Sequence, residues 1–195
     1  MKNVLIIALS LLAFTSCSNK KLVVMSKGAA KINSDAGTIQ STDGAGHEEN
    51  AVLTGTKQWT IESPAGKGSF ELAEKGLYVV NAKNDTIIGS FQNYVSADKA
   101  GQVISQEIVT QKLDSLKLLV EGKNVSAANR NFYILPNQAA LVTPNLDAEI
   151  VGPYHKMTSA ASKNGEAPEV YRFYSIREIR ETIGKLEVLT RPIKK

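Results

Sequence analysis

Cysteine is all but missing from this chain of 195 residues, with Cys17 the only one. No disulfide can form within the chain, so whatever folds must hold itself together by its core. Histidine is nearly as scarce, at His47 and His155 alone. Zinc sites need three or four ligands in a tight arrangement, and a Ser-His-Asp triad would have to recruit one of those two rings. Neither ring reads as having an acidic or histidine partner at a helical or strand spacing. His47, ahead of Glu48-Glu49, reads as solvated, and His155, after Pro153-Tyr154, reads as a surface residue of a loop. The sequence predicts no metal and no cofactor. It has no G-x-S-x-G elbow, and Gly66-Lys67-Gly68-Ser69 lacks the spacing of a phosphate loop and reads as a turn.

Aromatic residues are thin at 6%, with Trp59 the only tryptophan, which leaves little for a glycan-stacking platform. An excess of one charge is lacking as well. Lysine and arginine number 23 against 19 acidic residues, a net +4, and the signs are mixed along the chain. No Lys/Arg stripe with interleaved aromatics exists, so nucleic acid is excluded as the expected partner. Long hydrophobic runs are also absent. The apolar stretch from Val4 to Phe14 falls short of the about 20 residues that a spanning helix wants.

What is present starts with that stretch. Lys2 precedes it, and Thr15-Ser16 follow it just before Cys17. A basic start, an apolar run of secretory length and small residues before a cut site describe an export signal. With cysteine directly after two small residues, the segment resembles the signal of a bacterial lipoprotein, although Phe14 stands where Leu is usual in the lipobox. The resemblance covers residues 1–17 and implies cleavage before Cys17, with lipid on its thiol. At about 0.8 kcal/mol per buried CH₂, one acyl chain binds marginally while two or more anchor durably. Ser18-Asn19 follow Cys17 instead of Asp, so the expected location is the outer membrane, facing the periplasm, with the inner membrane or cell surface as alternatives.

Residues 1–16 thus read as a signal peptide, 17–56 as a lipidated, flexible Ser/Gly/Lys-rich tether, and 57–195 as one domain. Leu22-Val23-Val24-Met25 is the exception in the tether, an apolar island that could dock on the domain. Trp59 and Ile61, then Phe70 and Leu72, alternate with polar neighbours across a turn at Pro64-Ala65-Gly66. Leu77–Val80 and Thr86–Phe91, separated by Lys83-Asn84-Asp85, read as a β-hairpin, as do Phe132–Leu135 and Ala140–Thr143 around Pro136-Asn137. Further strands are expected at 149–151 and 169–174. A long helix is expected from an N-cap at Ser96 to Glu121, stopped by Gly122. A second opens with Ser175 and Glu178, the S-x-x-E capping box, and carries the stripe Ile176, Ile179, Ile183 and Leu186. The expected class is α+β, an antiparallel sheet of short strands with one long helix and a shorter C-terminal helix.

One cluster suggests a partner surface. Tyr171, Arg172, Phe173, Tyr174, Arg177 and Arg180 concentrate rings and guanidinium groups at the start of the last helix, and such residues are enriched at binding hot spots. The functional expectation is a non-enzymatic accessory or scaffold of an envelope assembly, such as a secretion or transport complex. It is held to the membrane through lipid on Cys17 and bound to other envelope proteins through Tyr171, Arg172, Tyr174, Arg177 and Arg180. Alternatives are a lipoprotein that binds a glycan or small ligand, and a periplasmic hydrolase using His155 or a carboxylate pair in a cleft.

Overall fold

A computed structural model of the chain describes residues 20–92, 106–153 and 168–190. Its first strand, β1 (Lys20–Ser26), is the apolar island of the expected tether. Leu22 and Val24 face one side, Val23 and Met25 the other, and all four are buried. A strand covered on both faces reads as a continuous apolar run rather than an alternation. β1 lies between β4 (Glu48–Thr54), antiparallel, and β7 (Gly76–Asn81), parallel, with β10 (Ala139–Thr143) beyond β7. β7 is buried along its whole length, as the inner strand of an inner sheet must be.

The flexible tether over 17–56 is therefore corrected. From Lys20 to Thr54 the chain forms four strands, including β2 (Ala30–Asn33) and β3 (Thr38–Ser41). Its small and polar residues are the turns and the solvent side of half-exposed strands, as with Lys31 and Asn33 on β2. β2 and β3 join a second sheet with the hairpin of β5 (Gln58–Ser63) and β6 (Gly66–Glu71), in the order β2-β3-β5-β6. Trp59 and Ile61 point inward from β5, as their alternation predicts.

The two other expected hairpins are also corrected. β7 and β8 (Ile87–Gln92) lie in different sheets, and so do β9 (Asn131–Ile134) and β10. Each pair is a strand that turns a corner. Fully buried Asn81 pins that corner, because its Nδ2 donates to the carbonyl oxygens of Asp85 and Ile134 at 2.8 and 2.9 Å. The turn residues look alike whether the chain reverses or bends, and the choice falls to bending because β1 and β10 already flank β7. The third sheet runs β11-β12-β8-β9, with β11 (Glu149–Val151) parallel to β12 (Val170–Ser175).

Each sheet holds one parallel pairing, β1 with β7, β3 with β5 and β11 with β12, so the expected purely antiparallel sheet is corrected to mixed sheets. The chain is a mixed α and β protein dominated by strands, with two helices among the described residues. Helix α1 (Gln106–Val120) ends in Gly122 at φ 69°, a left-handed position that suits glycine. The Lys123 N–H reaches the Leu118 carbonyl and the Gly122 N–H that of Leu119, the full Schellman closure. The expected start at Ser96 lies outside the described residues. Helix α2 (Ile176–Thr190) carries the predicted capping box. The Ser175 N–H donates to the Glu178 carboxylate at 2.6 Å, and the Glu178 N–H to the Ser175 hydroxyl at 3.3 Å.

Four layers result. Trp59, Ile61 and Ile39 of the second sheet pack on Leu22, Val24 and Val80 of the first. Val23, Met25 and Val79, on the opposite face, pack on Ile87, Phe132, Tyr171 and Phe173 of the third. The helices cover the outer side of the third sheet, with Leu116 and Leu119 meeting Ile88, Ile179 and Ile183.

Candidate functional site

Two polar clusters and one groove stand out. The first cluster is built on Lys83, in the corner after β7. Its backbone N–H is held by the Asn81 side chain at 3.0 Å, and the residue is only 3% exposed. Its amine lies 2.7 Å from Nδ1 of His47, whose Nε2 lies 2.8 Å from a Glu49 carboxylate oxygen. The tautomer that satisfies both contacts carries its proton on Nε2, so Lys83 donates to the ring and the ring donates to Glu49. Burial holds the Lys83 amine below the ordinary lysine range, opposed by the negative charge of Glu178, Glu49 and Asp85 and reinforced by Lys27. Gly152 closes the cluster: a methyl group there would lie 2.0 Å from His47 Nε2 and 2.3 Å from the Glu49 carboxylate.

His47 is thus corrected from a solvated residue to a bridge between β4 and the β7–β8 corner. Its acidic partner sits two residues on, the spacing that puts both side chains on one face of a strand. That spacing was the available signal. Nothing local marks Lys83, which reads as an ordinary turn residue.

The second cluster closes the far end of the layer between the first and third sheets. The Glu169 carboxylate accepts from Arg130, the Tyr171 hydroxyl at 2.6 Å, Asn145 at 2.9 Å and Thr143 at 3.2 Å. Burial pushes this carboxyl up, yet the four donors together outweigh it and leave it below the ordinary range. Arg130 has a left-handed backbone, φ 54°, and its guanidinium stacks 3.6 Å over the Phe91 ring. Every acceptor site is met by the protein's own donors, which suits a clasp between strands.

The groove runs between two edge strands, β4 of the first sheet and β11 of the third. It has a volume of about 280 Å³ and is lined by Lys21, Val23, Glu49, Ala51, Glu149, Ile150 and Val151. Lys21 bridges one end, donating to the carbonyls of Leu146 and Ala148 at 3.1 and 3.4 Å. Gly152, seated on His47 and Glu49, closes the other. A smaller cavity of about 50 Å³ under the helices is lined by Ile88, Leu116, Leu119, Tyr174 and Ile179 together with the polar Ser90, Gln92 and Thr182.

The predicted partner cluster does not form one surface. β12 alternates, so Tyr171 and Phe173 point into the core while Arg172 and Tyr174 point toward the helices. Tyr171, 1% exposed, is corrected from a partner-binding to a core residue. Arg177 and Arg180 are exposed on α2. Cys17 and His155 lie outside the described residues. Among the described residues no group of three or more side chains is placed to hold a metal, and no helix is long and apolar enough to cross a membrane. Comparison with protein-family models, with curated proteins and with solved structures returns no significant match.

Proposed function

We propose that this chain is a lipid-anchored protein of the bacterial envelope and that its folded part is a non-enzymatic accessory or scaffold of an outer-membrane assembly, such as a secretion or transport complex, on the periplasmic side. The observation that carries the reading is the joint between signal and fold. β1 starts at Lys20, so only Ser18 and Asn19 separate it from Cys17. At about 3.3 Å per residue, lipid on Cys17 holds the start of β1 within about 10 Å of the headgroups. β1 is an inner strand of a middle sheet, hydrogen-bonded on both sides. A pull on the anchor therefore enters the centre of the fold, which favours a fixed component over a domain ranging on a leash.

The polar clusters favour the same reading, because the Lys83 amine is turned onto His47 and Glu169 is saturated. The hydrolase alternative draws on Glu49 and Glu149, two carboxylates lining one groove. Against it, Glu49 is committed to His47. The glycan alternative requires exposed rings, and every described aromatic side chain is buried or half-buried.

The test is Cys17→Ser in cells fed labelled palmitate. Loss of label and of membrane fractionation is expected, and a mutant that keeps both overturns the anchor. Arg177→Ala with Arg180→Ala is expected to reduce recovery of co-purifying envelope proteins at an unchanged melting temperature, since exposed substitutions usually stay within about ±0.5 kcal/mol.

A further inference from the structure

Among the described residues His47 is the only histidine, and histidine is the side chain that ordinarily changes charge between about pH 5 and 8. Its ring stands between two unlike neighbours. Nδ1 faces the Lys83 amine at 2.7 Å, and Nε2 faces the Glu49 carboxylate at 2.8 Å. A neutral ring serves both, accepting at Nδ1 and donating from Nε2. A protonated ring donates from both nitrogens. It keeps the bond to Glu49 but sets an N–H against the N–H groups of Lys83. Two cations then meet across a contact that suits a donor and an acceptor. They meet largely out of reach of water, since the His47 side chain is 10% exposed and Lys83 3%.

The surroundings leave little room for repair in place. Gly152 lies so close to His47 and Glu49 that not even a methyl group fits there. The Lys83 backbone is fixed by Asn81, which is fully buried and bonded to the carbonyls of Asp85 and Ile134. Lys27 donates to Asn84 at 2.7 Å and holds the corner from the β1 side. Burial works against charge on the Lys83 amine, and Lys27 with it, while Glu178 of α2, Glu49 of β4 and Asp85 of the corner favour it. The yielding side is the β3–β4 loop. Residues 42–46 are exposed. Among the described residues, the bond from Lys83 to His47 is the one hydrogen bond that ties 43–47 to another element. We infer that His47 is a pH-operated latch: near neutrality its ring holds the β3–β4 loop on the β7–β8 corner, and in mild acid the protonated ring parts from Lys83 and frees the loop while staying with Glu49. The register pairs Glu48 with Ser26, the end of β1 remote from Cys17, so the loop opens on the side of the fold away from that cysteine. The latch needs neither the lipid nor a partner, so it stands or falls apart from the scaffold reading.

The experiment is hydrogen exchange on the full-length chain in detergent micelles at pH 7.5 and pH 5.0, with labelling times scaled to the intrinsic exchange rate. Protection over residues 43–49 is expected to fall at least fivefold at pH 5.0 while the β5–β6 hairpin keeps its own. His47→Gln can accept from Lys83 and donate to Glu49 but does not titrate, so its loop is expected to be equally protected at both pH values. Lys83→Met removes the second cation. Whatever its protection at pH 7.5, its loop is expected to show the same protection in acid, which keeps the test open if the glutamine variant fails to fold. Unchanged protection in the unmodified chain overturns the latch, because the cluster then takes its extra proton in place with a neutral Lys83 accepting from the ring. An acid loss that persists in either folded variant also overturns it, by assigning the titration to Glu49, Glu178 or Asp85. A loss that extends to the β5–β6 hairpin overturns it as well, since the fold as a whole is then opening.

Discussion

Leu22→Ala separates a folded N-terminal region from a tether more sharply than any other single change. The Leu22 side chain is fully buried between the first and second sheets, and its strand neighbours are Val52 and Tyr78. The substitution removes three carbon atoms at roughly 0.8 kcal/mol each, about 2.4 kcal/mol of transfer free energy. A cavity term adds to it, because the inner strand is held by ladders on both sides and its neighbours relax only in part. Leucine-to-alanine changes in such sites cost about 2–5 kcal/mol. For a domain of this size that corresponds to a fall in melting temperature of roughly 4–20 °C. Urea unfolding followed by circular dichroism measures it, with the midpoint falling and the slope unchanged. Leu53→Ala, on the neighbouring strand but 61% exposed, is the control and is expected to stay within about 0.5 kcal/mol. A Leu22→Ala protein as stable as its control would refute the placement of β1 in the core.

Glu169→Gln is expected to cost about 1–2 kcal/mol at neutral pH, since it weakens hydrogen bonds to a charged acceptor. With a pKa lowered by folding, the carboxylate's contribution is present above its unfolded value and is lost as pH falls through the folded one, so mutant and wild-type stabilities should converge in acid. A constant gap across pH 2–7 would contradict this. Burial lowers the Lys83 pKa, so the unfolded chain binds the proton more tightly and stability should rise with pH from the folded pKa up to 10.5. Unfolding of Lys83→Met across that range should lack the rise, and a rise of equal size in the mutant would assign it elsewhere. Ser175→Ala is expected to cost about 0.5–2 kcal/mol through loss of the α2 cap, read from thermal unfolding. No change would mean that the Glu178 half of the box suffices alone.

Local chemistry was legible in the residues wherever a feature closes over a few positions. The capping box at Ser175 and Glu178, the glycine stop at Gly122 and the alternation of Trp59 and Ile61 each rest on neighbours in the chain, and each stands in the fold. The apolar run of β1 was visible too, but its meaning was not, because burial of both faces erases the period that marks a strand. The polar clusters were hidden for a different reason. Lys83, His47 and Gly152 are far apart in the chain, as are Arg130 and Glu169, and only the stacking of sheets brings them within hydrogen-bond reach.

The residues alone determined the want of disulfides, the mixed strand and helix content, the glycine stop of α1 and the cap of α2, since each depends on composition or on contacts within about a turn. Tertiary structure decided which strands share a sheet, that β7–β8 and β9–β10 bend where a hairpin was expected, that Tyr171 faces inward, and that β4 and β11 leave a groove between them. Strand pairing is a competition among all edges for partners. The same turn residues serve a reversal or a bend, so the outcome belongs to the packed layers and not to any one segment.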